Sequence, residues 1–401
     1  MVNHSRRQFL QVVPGIALAP LTALEWSGAD PPIQPASWRS AGEPRVAVAG
    51  AGGASLEQDT ALVGGFTDRL EATAGVQVLD ARRGWLPIGN ALLEARAEPV
   101  LTALDRGRIL VLGGWTGRLP QERRWLASAE ICEPLRPERR RPIPPPFGPD
   151  SPLEGASAIR LADGRVFLVH QRQATLFDPE TETWSPPFPT SGHRIGAALA
   201  TIGPDPDLDG IVDRIVVVGG HRSGESPIET ITIPKDGTPS IVPWPLDSLP
   251  VIAHAGISES IGGVLFLAGG ETGNRSLNAT WRLDPSRRST TSGPDLPIAE
   301  GISRPTLIRR GNRLLVVGGE SLTRGTPTAP VNGAVIDVRN GRTTSLPPRP
   351  LRAVRSTVVA RSKDVLVVGG YRFQPDAPPG RRTEVVPTAD RLVLPRMIIE
   401  D

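Results

Sequence analysis

Six apolar runs in this chain end in a glycine pair: "DTALVGG" at 65, "RILVLGG" at 114, "RIVVVGG" at 220, "VLFLAGG" at 270, "RLLVVGG" at 319 and "DVLVVGG" at 370. The successive spacings are 49, 106, 50, 49 and 51 residues, and the long one is a double period. At its midpoint "RVFLVHQ" (165–171) repeats the run, with His170 and Gln171 in place of the glycines. Seven units at a fixed period near fifty residues restrict the chain to an array in which each unit buries its faces against copies of itself.

Each unit carries further marks. After the glycine pair a second apolar run ends in Asp, often with Trp a few residues on, as in "VQVLDARRGW" (76–85) and "TLFDPETETW" (175–184). "TWRLDPSRRST" (280–290) and "AVIDVRNGRT" (334–343) keep the Asp without the following Trp. A proline-rich link and another apolar run, such as "GAALATIG" (196–203), lead back to the next glycine strand. Four short strands per unit make a propeller blade. The run before the glycines is continuous Val, Leu and Ile, as expected of a strand covered on both faces. Glycine at its end permits unusual backbone angles and close approach of neighbouring blades.

The pattern resembles the kelch repeat over about residues 36–401, although the tyrosine that often follows the glycines in that family survives only as Tyr371. The resemblance implies an all-β, seven-bladed β-propeller of four-stranded antiparallel blades. "SWRSAGEPRVAVAG" (37–50) begins like "GWLPIGNALLEARAEPVLTAL" (84–104), so Trp38 is expected on an outer strand that completes the last blade, near "DRLVLPRM" (390–397). Such closure removes the open edge.

Composition excludes several roles. Of 45 basic residues only Lys235 and Lys363 are lysine, against 42 acids, for a net charge of +3. Runs such as "PERRRP" (137–142) are short and flanked by proline, which reads as solvated loop charge rather than a nucleic-acid surface. No stretch of 18 apolar residues exists, so no membrane span is expected. Cys132 is alone, which excludes an internal disulfide. "SRRQFLQVV" (5–13) followed by "VVPGIALAPLTAL" (12–24) resembles a twin-arginine export signal, with Gln11 where that pattern usually has lysine. The expected organisation is a signal over 1–29, a linker over 30–35 and one propeller over 36–401, acting as a monomer in the periplasm or outside the cell.

"GPDPDLDGIVDRIVVVGG" (203–220) places four aspartates at the root of a buried strand. Three carboxylates on alternate positions, a glycine for the turn and a fourth carboxylate beyond suit calcium, which takes six to eight oxygens at about 2.3–2.6 Å. The loop resembles the first half of an EF-hand loop, and more closely the calcium loop of FG-GAP propeller repeats. That resemblance implies Asp205, Asp207, Asp209 and Asp213 as side-chain ligands, the carbonyl of Ile211 as a backbone ligand, and a structural calcium.

No catalytic signature appears: no G-x-S-x-G, no H-E-x-x-H, no Walker loop and no C-x-x-C. One tyrosine and one cysteine cannot supply the set of the radical-copper oxidases built on kelch propellers, which need a Tyr–Cys crosslink and a second tyrosine. The five histidines (4, 170, 193, 221, 254) show no metal-ligand spacing. What remains is the mouth of the central channel. Loops entering the innermost strands carry Arg45, Arg96, Arg194, Arg304 and Arg355 with His193 and His254, and loops after the glycine strands add Trp115, His221, Arg222, Glu271, Glu320, Tyr371 and Arg372. Converging arginines would hold a carboxylate or sulfate, and kelch-type sialic-acid epimerases use Arg and Glu at such a mouth. Two functions follow. One is an exported module binding a protein or glycan through its loop face, with Trp115, Trp125 and Phe373 exposed. The other is a carbohydrate-active epimerase or lyase acting on an acidic sugar, which needs a titrating group beside the arginines. In an arginine-rich chain the same side chains could simply brace neighbouring blades.

Overall fold

The computed structural model describes residues 36–203, 210–374 and 383–394, and they fold as an all-β propeller of seven four-stranded antiparallel blades. The glycine-pair runs are the second strands, among them Asp59–Val63, Ile109–Leu112, Ile211–Val218, Leu265–Ala268 and Asp364–Val368, and Val166–His170 takes the same place in blade 3. In blade 7 the order is Ser37–Ser40, Ala389–Val393, Asp364–Val368, Thr357–Ala360. The N-terminal strand supplies the outer edge, with Trp38 opposite Leu392.

The continuous apolar runs are explained by alternation across the strand. In blade 2, Ile109 and Val111 pack with Val63 and Val78 of blade 1, while Leu110 and Leu112 pack with Val166, Leu168 and Phe177 of blade 3. Every side chain of the run is therefore buried, and both faces of each blade belong to the core. An apolar layer of this kind lies between each adjacent pair of blades.

The glycine pair has a specific task. Gly64 has φ +64°, and a Cβ there would lie 2.3 Å from the Arg96 carbonyl oxygen of blade 2. That same carbonyl accepts a hydrogen bond from the Gly65 N–H at 2.9 Å. The entry loop of the next blade thus seats directly on the pair, which a side chain would prevent.

Outer tryptophans tie consecutive blades together. The indole N–H of Trp184 donates to Pro144 O at 2.9 Å, that of Trp38 to Pro347 O at 2.8 Å, and that of Trp85 to Ala41 O at 3.2 Å. Each acceptor lies just beyond the outer strand of the preceding blade. Trp38 thereby couples ring closure to blade 6. Trp38→Ala should destabilise the protein by about 2–3 kcal/mol, somewhat below a fully buried tryptophan because the residue is half-buried. Trp38→Phe should restore all but about 1 kcal/mol, the share of the indole hydrogen bond. Chemical denaturation checks both; equal losses would show that the ring body contributes nothing to closure.

Candidate functional site

In each blade the chain turns into its innermost strand through a residue of positive φ. These are Gly50 (58°), Glu98 (52°), Gly155 (65°), Gly196 (70°), His254 (54°), Arg304 (57°) and Arg355 (54°), one from each blade in order. Their backbones are linked by inter-blade hydrogen bonds at five of the seven junctions. The N–H of Gly50 donates to Arg355 O at 2.9 Å, and Glu98 to Gly50, Gly196 to Gly155, His254 to Gly196 and Arg304 to His254, each at 2.7 Å. A left-handed backbone favours glycine, and an ordinary residue there costs about 1 kcal/mol or more. Three blades have the glycine; four carry a polar or charged side chain in spite of it.

The seven turns surround a cavity of about 400 Å³ lined by residues of all seven blades. Glu98, His254, Arg304 and Arg355 stand on one side of its wall, with Glu320 behind them; Leu153, Ala156 and Ile195 line blades 3 and 4, and Trp125 with Arg123 stands at blade 2. The guanidinium of Arg123 lies 5.4 Å from the Trp125 ring centroid, a cation–π distance.

The polar side is a connected network. Glu320, 2% exposed, sits between two arginines, with Oε1 3.3 Å from Arg304 Nε and Oε2 3.0 Å from Arg355 Nε. The second contact is close in distance but poorly aligned, leaving Oε2 without a well-directed hydrogen bond among the described residues. Arg355 Nη1 donates to Glu98 Oε2 at 3.0 Å. Arg304 Nη2 donates to His254 Nε2 at 3.0 Å, which fixes the imidazole as the neutral Nδ1–H tautomer. Glu271 lies 3.7 Å from His254 and accepts from Ser303 Oγ at 2.7 Å. Among the described residues no hydrogen-bond partner meets Arg304 Nη1 or Arg355 Nη2. The Arg304 side chain keeps about a third of its surface open and lines the cavity.

Burial, then the positive charges of Arg304 and Arg355, push the His254 pKa down to about 3. Its imidazole is neutral at neutral pH, so the approach of Glu271 is not an ion pair there. Tyr371 is pushed above its ordinary value, first by burial. Burial and the neighbouring Arg355 together push Arg304 below the usual guanidinium range.

Of the residues expected at the mouth, the structure brings together Arg304, Arg355 and His254, with Glu320 and Glu271. Arg45 is exposed and donates to Trp85 O at 3.3 Å, away from the cavity wall. Arg96 and Arg194 are 1% and 0% exposed and turn back into their own blades. Arg96 Nη2 pairs with Glu130 at 2.7 Å, and Arg194 Nε with Glu229 at 2.8 Å. Both also donate to loop carbonyls, Gly113 O and Gly219 O. These are bracing pairs, unavailable to a ligand. The ring of His193 lies 3.3 Å from Gly220 O, outside the cavity lining. Trp115, expected on an exposed face, is fully buried against Phe66 at 5.6 Å between centroids; Phe373 is 57% exposed. Glu98 was not foreseen, although it aligns with His254 and Arg355 two residues before the innermost strand.

On the acidic loop, Asp205, Asp207 and Asp209 lie outside the described residues. Ile211 opens the second strand of blade 4 opposite Pro234. The Asp213 carboxylate, 2% exposed, accepts from the N–H of Arg214 at 2.9 Å and of Ala162 in blade 3 at 3.3 Å. Burial raises its pKa against these bonds. Among the described residues no three His, Cys, Asp or Glu side chains gather to hold a metal.

No protein-family model matches the chain, and no curated protein sequence does. Solved structures do. A fungal alcohol oxidase of the AA5 family, in complex with copper, superposes with TM-score 0.62 at 14% identity, covering 90% of this chain and 77% of that one. YjhT superposes with TM-score 0.53 at 13% identity, covering 76% and 98%. At such identities the likeness is one of fold. A Tyr–Cys copper centre does not fit here: Cys132 is fully buried in the apolar layer between blades 1 and 2, its thiol pushed up to about 12, while Tyr371 stacks on Phe66 in a separate cluster. Among the described residues no helix is long and apolar enough to cross a membrane.

Because His254 is depressed in the fold, the unfolded chain takes up a proton between about pH 6.5 and pH 3 that the native state refuses. Its contribution to stability is complete above pH 6.5 and is lost on acidification through that window, by at most about 1.4 kcal/mol per pH unit for one group. His254→Asn, which tolerates the left-handed backbone, should make the fall of Tm between pH 6.5 and pH 4 shallower. An unchanged slope would show that His254 does not refuse the proton.

Proposed function

We propose that this propeller is a binding module that takes a small acidic carbohydrate at its channel mouth, without turning it over. One observation carries the reading: Arg304 and Arg355 stand side by side on a cavity framed by all seven blades, each with one guanidinium nitrogen that meets no hydrogen-bond partner among the described residues. Two such donors suit a carboxylate. The cavity, at about 400 Å³, falls within the range of roughly 300–1,000 Å³ usual for small ligands. Glu154 offers an acceptor to sugar hydroxyls, and Trp125 offers an aromatic face.

Catalysis as an epimerase or lyase would need a group on this wall that titrates near neutrality. His254, held down to about 3 by burial and the two arginines, is removed from that range, which favours binding over turnover. Calorimetric titration with D-galacturonate and N-acetylneuraminate, with D-galactose as uncharged control, tests this. The acids should bind and galactose should not. Arg304→Gln and Arg355→Gln should each weaken binding about 10- to 100-fold, the worth of a hydrogen bond to a charged group. Proton spectra of the recovered sugar should be unchanged. Equal affinity in both variants, or no heat from either acid, overturns the reading.

The fifty-residue glycine-pair period supports kinship with kelch repeats, and Arg6-Arg7 ahead of Phe9-Leu10 supports export of the folded chain to the periplasm or beyond. The spacing of Asp205, Asp207, Asp209 and Asp213 supports a structural calcium in blade 4. Chelator should then lower Tm in the parent and leave Asp207→Ala/Asp209→Ala unmoved. No chelator effect on the parent would remove the ion.

A further inference from the structure

The two acids that hold the mouth arginines are not equivalent. Glu320 is 2% exposed, lies between Arg304 and Arg355, and belongs to the second strand of blade 6, Arg313–Thr323, just past its glycine pair. Glu98 comes from the far side of ring closure, in blade 2, and touches Arg355 alone, at 3.0 Å. Both partners of this pair are about a quarter exposed, so solvent partly screens it and it is weaker than a fully buried pair. Glu320 neutralises charge that would otherwise be buried; Glu98 occupies a donor edge that faces the cavity. Gly50 beneath it leaves space for its Cγ, which lies 3.1 Å from where a Cβ at residue 50 would stand.

We infer that Glu98 is an internal rival, a built-in carboxylate that competes with the ligand's carboxylate for Arg355 and thereby sets how acidic or how tightly binding a guest must be. The inference rests on the reading of the mouth as an anion site. An entering carboxylate meets Arg355 already engaged and a like charge beside it. It must swing Glu98 aside or approach next to it, and either event lowers affinity by about the strength of the pair. A neutral sugar gains nothing from displacing Glu98, and a weakly held anion cannot displace it.

Titrating the whole chain with sodium acetate at constant ionic strength, and separately with D-galacturonate, tests this. Glu98→Gln keeps the shape of the side chain and removes its charge; Glu98→Gly serves as a second variant that relaxes the left-handed turn. Both should bind each anion about two- to five-fold more tightly than the parent, while Arg355→Gln binds more weakly. Unchanged or weaker binding by both Glu98 variants overturns the rival role and leaves the site reading intact. Tighter acetate binding without any galacturonate binding sustains the rival role and removes the acidic-sugar reading. Binding of neither anion by any variant removes both.

Discussion

The structure depends on backbone hydrogen bonds between turns around the channel, in which the turn residue of a blade donates its N–H to the carbonyl of the turn residue before it at five of the seven blade junctions. Apolar layers hold neighbouring blades face to face, but such contacts are non-directional and would tolerate sliding. The links between turns are directional, and in blades 2, 5, 6 and 7 the left-handed turn also places a polar or charged side chain at the channel. Frame and site are therefore products of the same seven residues.

This coupling explains why the site is lopsided. Blades 1, 3 and 4 relax at their turns with glycine, whereas blades 2, 5, 6 and 7 hold Glu98, His254, Arg304 and Arg355 in a costly conformation. Charge is concentrated on one arc and apolar side chains on the other. The cavity therefore has unlike walls, paired arginines on blades 6 and 7 and Leu153, Ala156 and Ile195 beside Glu154 on blades 3 and 4.

The propeller was legible because its signal repeats: a buried strand ending in a glycine pair recurs in nearly every unit, and Trp38 preceding Glu-Pro copies the start of blade 1's outer strand. The site was legible only in part. Arg96 and Arg194 lie two residues ahead of the turn position, and without the backbone angles the two positions look interchangeable. What separates them is the third strand, where Glu130 and Glu229 lie buried opposite Val111 and Val217. A carboxylate in a buried strand demands a cation, and Arg96 and Arg194 answer that demand. Read that way, the same strand positions would have withdrawn both arginines from the mouth, and the alignment of Glu98 with Arg355 would have added the missing acid. Trp115 was misjudged for a related reason: the residue after the glycine pair packs inward on Phe66 rather than outward.

One detail of the turns reaches further than its size suggests. The His254 ring rests over Gly196, within 2.5 Å of where a Cβ there would stand, and Glu98 leans over Gly50 in the same sense. Each of these side chains borrows the room left empty by the blade before it. The order of residues is consequently directional at these two junctions, where glycine has to precede the larger residue. At these two junctions the mouth is built by neighbouring pairs, Gly50 with Glu98 and Gly196 with His254, so that a side chain at either glycine would displace the group the next blade presents.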